Sequence, residues 1–201
     1  MTREALSNLI VRRIAESAEL KRSLLCDEAF VQVVASAGES ISAALRCGRK
    51  VLFFGNGGSA ADAQHLAAEL TGRYLKERDS LAGMALTTNS SSLTAIGNDY
   101  SFEMTFARQL QGLGSRGDIA FGITTTGNSA NVLAAMRVAT EKGLETIGLT
   151  GGGGGKLREM VNHCICIPSA QTPRIQECHI MTGHILCEIV ENALSDEGNL
   201  P

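Results

Sequence analysis

The chain contains no tryptophan, and with two tyrosines and six phenylalanines only 4% of it is aromatic. A core in a chain of 201 residues must then be filled by Ala, Leu, Ile and Val, as in layered α/β proteins. Positive charge is short as well: 18 Lys and Arg stand against 21 Asp and Glu, a formal net charge of −3. That balance argues against the basic face of a general nucleic-acid binder, so no nucleic-acid partner is expected. No apolar run approaches the roughly 20 residues of a membrane span, so no membrane partner is expected either. The opening segment MTREALSNLIVRRIAESAEL scatters charge where a secretory signal would carry an apolar core, and the expected location is cytoplasmic. Six cysteines are present, yet Cys26, Cys47, Cys164, Cys166, Cys178 and Cys187 contain no C-x-x-C pair. They are expected to be small buried hydrophobes in a reducing compartment.

Glycine, by contrast, is plentiful at 22 residues. The organising stretch is VLFFGNGGSAADAQHLAAELTGRY, residues 51–74. Its apolar start, Val51 to Phe54, reads as a buried strand. Gly55-Asn56-Gly57-Gly58-Ser59 follows as a turn, and Ala60 to Leu70 as a helix. A glycine turn between strand and helix aims backbone N–H groups and a helix dipole at one point, which suits an anion. On the helix, His65 and Glu69 are four residues apart and project from one face. An anion cradle beside an imidazole–carboxylate pair points to chemistry on a phosphorylated small molecule.

Around this stretch, apolar spacing predicts a helix from 3 to about 22, carried by Leu6, Leu9, Ile10, Ile14 and Ala18. A second, from about 27 to 46, carries Phe30, Val33, Val34, Ile41 and Leu45. This N-terminal helical hairpin is expected to cover a sheet or to pair subunits. Further strands are expected at 83–86, 118–123, 145–149 and 164–167. Between them come a short helix at 93–96, a turn at Gly97-Asn98-Asp99, a helix at about 102–112, another ending near Lys142, and a loop of five glycines at 151–155. Pro173 suits the first turn of a closing helix that runs to about Leu194. Strands separated by helices imply parallel pairing with right-handed crossovers. One domain is expected, with a hairpin over 1–48, an α/β core over 49–195 and a polar tail over 196–201. Ligands of such sheets lie beyond the carboxyl ends of the strands.

Two polar turns fall there. Gly55, Gly57 and Ala60 match G-x-G-x-x-A, but the second strand ends in Leu86-Thr87-Thr88-Asn89 without the acid a dinucleotide site needs, so no nucleotide is expected. The other turn carries the hydroxyls of Thr124, Thr125, Thr126 and Ser129 at a helix start. Thr126 or Ser129 could simply cap that helix, but four hydroxyls around a glycine exceed what one cap needs, and phosphate binding is the preferred reading. On the closing helix Gln176, His179 and His184 interrupt an apolar surface of Ile175, Ile180, Met181, Ile185, Ile189 and Val190. A lone histidine there would ordinarily be a core residue, and His163 is read so.

Together GNGGSAADAQH, ELTGRY, LTAIGNDY, TTTGNS and RIQECH resemble the phosphoheptose isomerase family, the sedoheptulose 7-phosphate isomerases among the sugar isomerase (SIS) domain proteins, over nearly the whole chain. The resemblance implies an α/β fold with a doubly wound parallel five-stranded sheet, and a homotetramer with sites at subunit interfaces. It implies a cytoplasmic aldose–ketose isomerase that makes D-glycero-D-manno-heptose 7-phosphate for nucleotide-activated heptose and surface polysaccharide such as lipopolysaccharide. Substrate contacts are implied at Asn56, Gly57, Gly58, Ser59, Glu69, Asn98, Asp99 and Gln176. Phosphate contacts are implied at Thr124, Thr125, Thr126 and Ser129. Catalysis, and in several members a zinc ion, belong to the positions of His65, Glu69, Gln176 and His184. Two departures stand out. Thr occupies all three positions where the family's hydroxyl turn commonly reads Ser-Thr-Ser, and Gln171 stands where an Asp is common. Isomerisation of another phosphosugar therefore stays open. So does a non-catalytic SIS-domain role, although such relatives lack the Glu and His found here.

An aldose–ketose isomerase moves a proton between adjacent carbons through an enediol, which needs a base, an acid and stabilisation of an oxyanion. The expected base is Glu69 and its partner His184. Gln176 and His184 lie eight residues apart, about 12 Å along one helix at 1.5 Å per residue. That span suggests a composite site in which two closing helices cross near Ile180 at a two-fold interface.

Overall fold

The structure, a computed structural model, describes residues 1–195. The tail expected at 196–201 lies outside the described residues. Its elements run α1 (Arg3–Leu25), α2 (Glu28–Arg46), β1 (Val51–Gly55), α3 (Gly58–Thr71), β2 (Gly83–Ala85), α4 (Ser90–Asp99), a 3-10 turn (Phe102–Met104) and α5 (Thr105–Leu113). Then follow β3 (Ile119–Thr124), α6 (Ala130–Glu141), β4 (Glu145–Gly151), a second 3-10 turn (Gly155–Glu159), β5 (His163–Ile167) and α7 (Thr172–Ser195). All strand pairs are parallel, in the order β2-β1-β3-β4-β5. The chain leaves β1 toward one edge and returns to its other side at β3. The turns after β1 and β3 therefore meet at the switch point where ligands of such sheets bind.

The central strands are buried on both faces, and their side chains alternate between two apolar layers. Val51, Phe53, Ile119, Phe121 and Ile123 face one layer with α2, α3 and α7. Leu52, Phe54 and Ala120 face the other, with α5 and α6. Phe53 and Phe121 are register partners with ring centroids 5.2 Å apart. Burying each contributes roughly 2–3 kcal/mol. Gly122 has no side chain because Met136, Val132 and Phe54 fill its place.

Helix starts follow their caps. Asp27 accepts from Phe30 N at 2.9 Å and opens α2, whose Phe30, Val34, Ile41 and Leu45 are buried. Asn89 accepts from Ser92 N at 2.9 Å, so α4 begins at Ser90 and swallows the expected turn: Gly97, Asn98 and Asp99 form its last turn. Gly151 closes β4, and Gly155 opens the 3-10 turn, which leaves a loop of three glycines.

Of the two helices of the hairpin, α2 buries its apolar side and α1 largely does not. Thr2 caps α1, but Leu6, Ile10 and Ile14 are exposed, and Leu24 is the buried residue of that helix. Of the two roles expected for the hairpin, covering a sheet or pairing subunits, this stripe of α1 does not fill the first within a single chain. Nor are the cysteines uniformly buried: Cys178 and Cys187 are, Cys164 and Cys166 are half-buried, and Cys26 and Cys47 are exposed. The last two stand at the C-caps of α1 and α2, where the chain turns through solvent. Among the described residues no helix is long and apolar enough to cross a membrane.

Candidate active site

The glycine turn after β1 places Gly57 at φ +56°, where a side chain would be strained, and α3 starts without a side-chain cap. Its N–H groups are less free than the composition suggests. Ser59 N donates to Asn56 O and Ala60 N to Gly57 O, each at 3.0 Å. Ser59 is buried with its side chain against Gly55. Asn56 is tied across the switch point by reciprocal side-chain hydrogen bonds with Asn131, at 2.8 and 2.9 Å. Asn131, buried in the first turn of α6, has no sequence signal, because its partner is 75 residues away.

The turn after β3 is the stronger anion cradle. Ser129 occupies the cap position of α6 but makes no cap hydrogen bond; its Oγ pairs instead with Thr124 Oγ1 at 2.8 Å. Thr126 Oγ1 accepts from Asn128 N at 3.2 Å. Neither hydroxyl caps the helix, so its first-turn N–H groups remain without a side-chain acceptor, at the positive end of the helix dipole. The turn is backed by the glycine loop: Leu157 N donates to Gly127 O at 3.0 Å and Lys156 N to Asn128 Oδ1 at 3.1 Å. A side chain on Gly127 (φ +67°) would collide with the Gly154 carbonyl.

His65 and Glu69, on one face of α3, meet His184 of α7. His65 Nε2 lies 2.9 Å from His184 Nε2 and 3.2 Å from Glu69 Oε1, and one ligand atom from each residue falls within 4.8 Å of the others. Two imidazoles and a carboxylate converging in this way can hold a metal ion. α7 approaches α3 closely because Gly183 is covered by Leu66; a Cβ there would stand 2.6 Å from Leu66 Cδ2. Gln176, eight residues earlier on α7, lies against the glycine turn, where a side chain on Gly58 would strike its amide. Glu69 and His184 thus come together within one chain. Asn98 and Asp99 do not join them: they are exposed at the end of α4, bonded to each other at 2.8 Å.

Sequence reasoning missed what steadies this cluster. Glu191 of α7, 1% exposed, accepts from the backbone N–H groups of Tyr74, Leu75 and Lys76 and from Arg78 Nε. Burial alone would raise its carboxyl; those N–H groups and the Arg78 guanidinium hold it below the usual range. Arg78 also donates to Glu69 O at 2.7 Å. The strap after α3 is therefore fixed to α7, and the Tyr74 ring lies against His184 with centroids 5.5 Å apart. Asp62, one turn before the cluster, is raised by burial to about 6, with His65 pulling the other way.

The other two histidines have separate fates. His163 Nε2 is paired with Ser40 Oγ at 3.0 Å and Glu145 Oε1 at 3.3 Å. His179 is fully buried, and neither ring nitrogen reaches a hydrogen-bond partner among the described residues. Burial pushes it down to about 4, although the Thr150 backbone favours its charged form. The unfolded chain, near 6.5, takes up this proton first, so the stability present above pH 6.5 is lost as the pH falls toward 4. The thermal midpoint is expected to decline across that window, and His179→Met to flatten the decline. An equally steep fall in the variant would assign it to other groups.

A doubly wound sheet with a hydroxyl turn at its switch point and an imidazole–carboxylate cluster between α3 and α7 is the SIS architecture, and the SIS domain model matches residues 15–151. The phosphoheptose isomerase of Rhodospirillum rubrum is 60% identical over 161 residues, 80% of this chain and 86% of that protein. Among solved structures, the phosphoheptose isomerase of Neisseria gonorrhoeae superposes with a TM-score of 0.87 at 42% identity, over 93% of this chain and 99% of that one. The Francisella tularensis phosphoheptose isomerase gives 0.89 at 36%, over 96% and 100%. The chain belongs to the phosphoheptose isomerase family.

Proposed function

We propose that the protein is an aldose–ketose isomerase that converts sedoheptulose 7-phosphate to D-glycero-D-manno-heptose 7-phosphate, ahead of nucleotide activation of heptose for surface polysaccharide. The observation that carries the reading is the convergence of Glu69 and His184 in a chain whose hydroxyl turn leaves a helix start open to an anion. The N–H groups of α6 and the hydroxyls of Thr124, Thr125, Thr126 and Ser129 hold the phosphate. The turn at Asn56, Gly57, Gly58 and Ser59, with Gln176, orients the sugar; Asn98 and Asp99, exposed at the end of α4, have no part in this cluster of one chain. Glu69 takes the proton from one carbon and returns it to the next, and His184 exchanges protons with the oxygens of the enediol. The residues present fit zinc, since nitrogen and carboxylate donors already face one another. His65, Glu69 and His184 would hold it, with Gln176 of the partner subunit where two closing helices cross near Ile180, and it would polarise the substrate's carbonyl and hydroxyl oxygens.

A cytoplasmic homotetramer with sites at subunit contacts is part of this reading. Exposed Leu6, Ile10, Val11 and Ile14 on α1 support it, because a second copy would cover them. The test is to incubate the purified protein with sedoheptulose 7-phosphate and a panel of other ketose phosphates. Isomerisation of a different ketose alone would replace the substrate, and none at all would leave a phosphosugar-binding scaffold. Tyr74→Leu is expected to lower kcat about tenfold with KM nearly unchanged, since a misplaced imidazole harms the chemical step more than binding. Tyr74→Phe keeps the ring and is expected to retain turnover; equal losses in both variants would assign the effect to the hydroxyl.

A further inference from the structure

Cys164 and Cys166 alternate along β5 and put their side chains on one face, with Sγ atoms 3.6 Å apart. A disulfide needs sulfurs about 2.05 Å apart, which a flat strand resists at this spacing. Two sulfur bonds of about 2.3 Å to a single trivalent, pyramidal centre with an angle near a right angle span roughly 3.3 Å, far closer than a disulfide to what the strand already provides. The pair lines a cavity of about 370 Å³ shared with Asp27, Phe30 and Arg158. The Cys164 thiol, bonded to its neighbour, and the Arg158 guanidinium lower Cys166 to about 7 against the effect of burial, so a thiolate is accessible near neutral pH. Arg158 would oppose a bare cation. It does not oppose a neutral electrophile.

The pair also touches the glycine loop. A Cβ on Gly154 would meet Cys166 Sγ at 3.0 Å, and the Gly154 carbonyl in turn occupies the space of a Gly127 side chain. Leu157 and Lys156, just beyond, donate to Gly127 O and Asn128 Oδ1. A group added to Cys166 therefore presses on the element that backs the hydroxyl turn.

We propose that Cys164 and Cys166 form a vicinal-dithiol site for trivalent arsenicals, and that filling it disturbs the hydroxyl turn through Gly154. The condensation balances without electron transfer. Each thiol sulfur bonds to arsenic, the oxide oxygen leaves as water with the two thiol protons, and arsenic stays trivalent. The site is independent of the isomerase reading; its coupling to the turn rests on the turn being an anion site.

The test uses phenylarsine oxide on the folded full-length chain, followed by native mass spectrometry. One phenylarsine per chain is expected, lost in Cys164→Ser and in Cys166→Ser and kept in Cys26→Ser and Cys47→Ser. No adduct on the folded chain, or one that persists in either of the first two variants, overturns the site. Calorimetry with inorganic phosphate then reads the coupling. The adduct is expected to weaken binding about tenfold, the scale of one lost charge-assisted hydrogen bond. Unchanged affinity overturns the coupling alone. An unmodified chain that binds no phosphate overturns the coupling and the anion reading together, while the adduct result stands.

Discussion

Glu69→Gln and His184→Ala are each expected to lower turnover of the phosphosugar by about 10²–10⁴-fold, the range of a lost general acid or base. Both side chains are only part-buried, so the thermal midpoint is expected to stay close to that of the parent chain. Glu69 carries two assignments, base and metal ligand, and they conflict, because a carboxylate bound to a metal is a weaker base. Measuring bound zinc in the same preparations separates them. Glu69→Gln that keeps its zinc but loses turnover has lost a base; one that loses both has lost a ligand. Near-parental turnover in either variant removes that residue from the chemistry.

Glu191→Ala is expected to cost about 3–5 kcal/mol, the penalty for breaking a buried ion pair and leaving its partner uncompensated. At roughly 2–4 °C per kcal/mol for a domain of this size, the thermal midpoint falls by roughly 6–20 °C. The reason is the number of groups one carboxylate serves. Three consecutive backbone N–H groups and Arg78 lose their acceptor at once, and Arg78 is itself buried and reaches back to Glu69 O. Glu191→Gln keeps acceptor oxygen but not charge and is expected to lose less. A midpoint within about 2 °C of the parent in Glu191→Ala would mean that water replaces the carboxylate and that the strap is held by other contacts.

Local signals identified the elements well where propensity and packing agreed. Val51 to Phe54 read as a buried strand and forms one, and the hydroxyls of Thr124 to Ser129 stood at a helix start as expected. Boundaries slipped where a side chain decided them: the Asn89 cap carried a helix through Gly97-Asn98-Asp99, since glycine weakens a helix without forbidding it. The α1 stripe left covering a sheet and pairing subunits both open, because helical period reports an apolar face and not what covers it. His65 and Glu69 were legible as a pair, being one turn apart. That His184 completes them, 119 residues from His65, was hinted at by the polar set Gln176, His179 and His184 on the closing helix and made specific only by the family resemblance.

By itself the sequence determined the order of strands and helices, the two polar turns and the chemistry on offer in them, because those depend on neighbours within one or two turns of chain. The tertiary structure alone decided that Asn131 locks Asn56, that Glu191 holds the strap under Tyr74, and that the glycine turn occupies its own N–H groups while the hydroxyl turn leaves a helix start open. Each of the first two contacts joins residues 75 to 117 positions apart, and the last depends on which of several donors the folded backbone satisfies. Such pairings are settled by distance in space, which a pattern read along the chain does not contain.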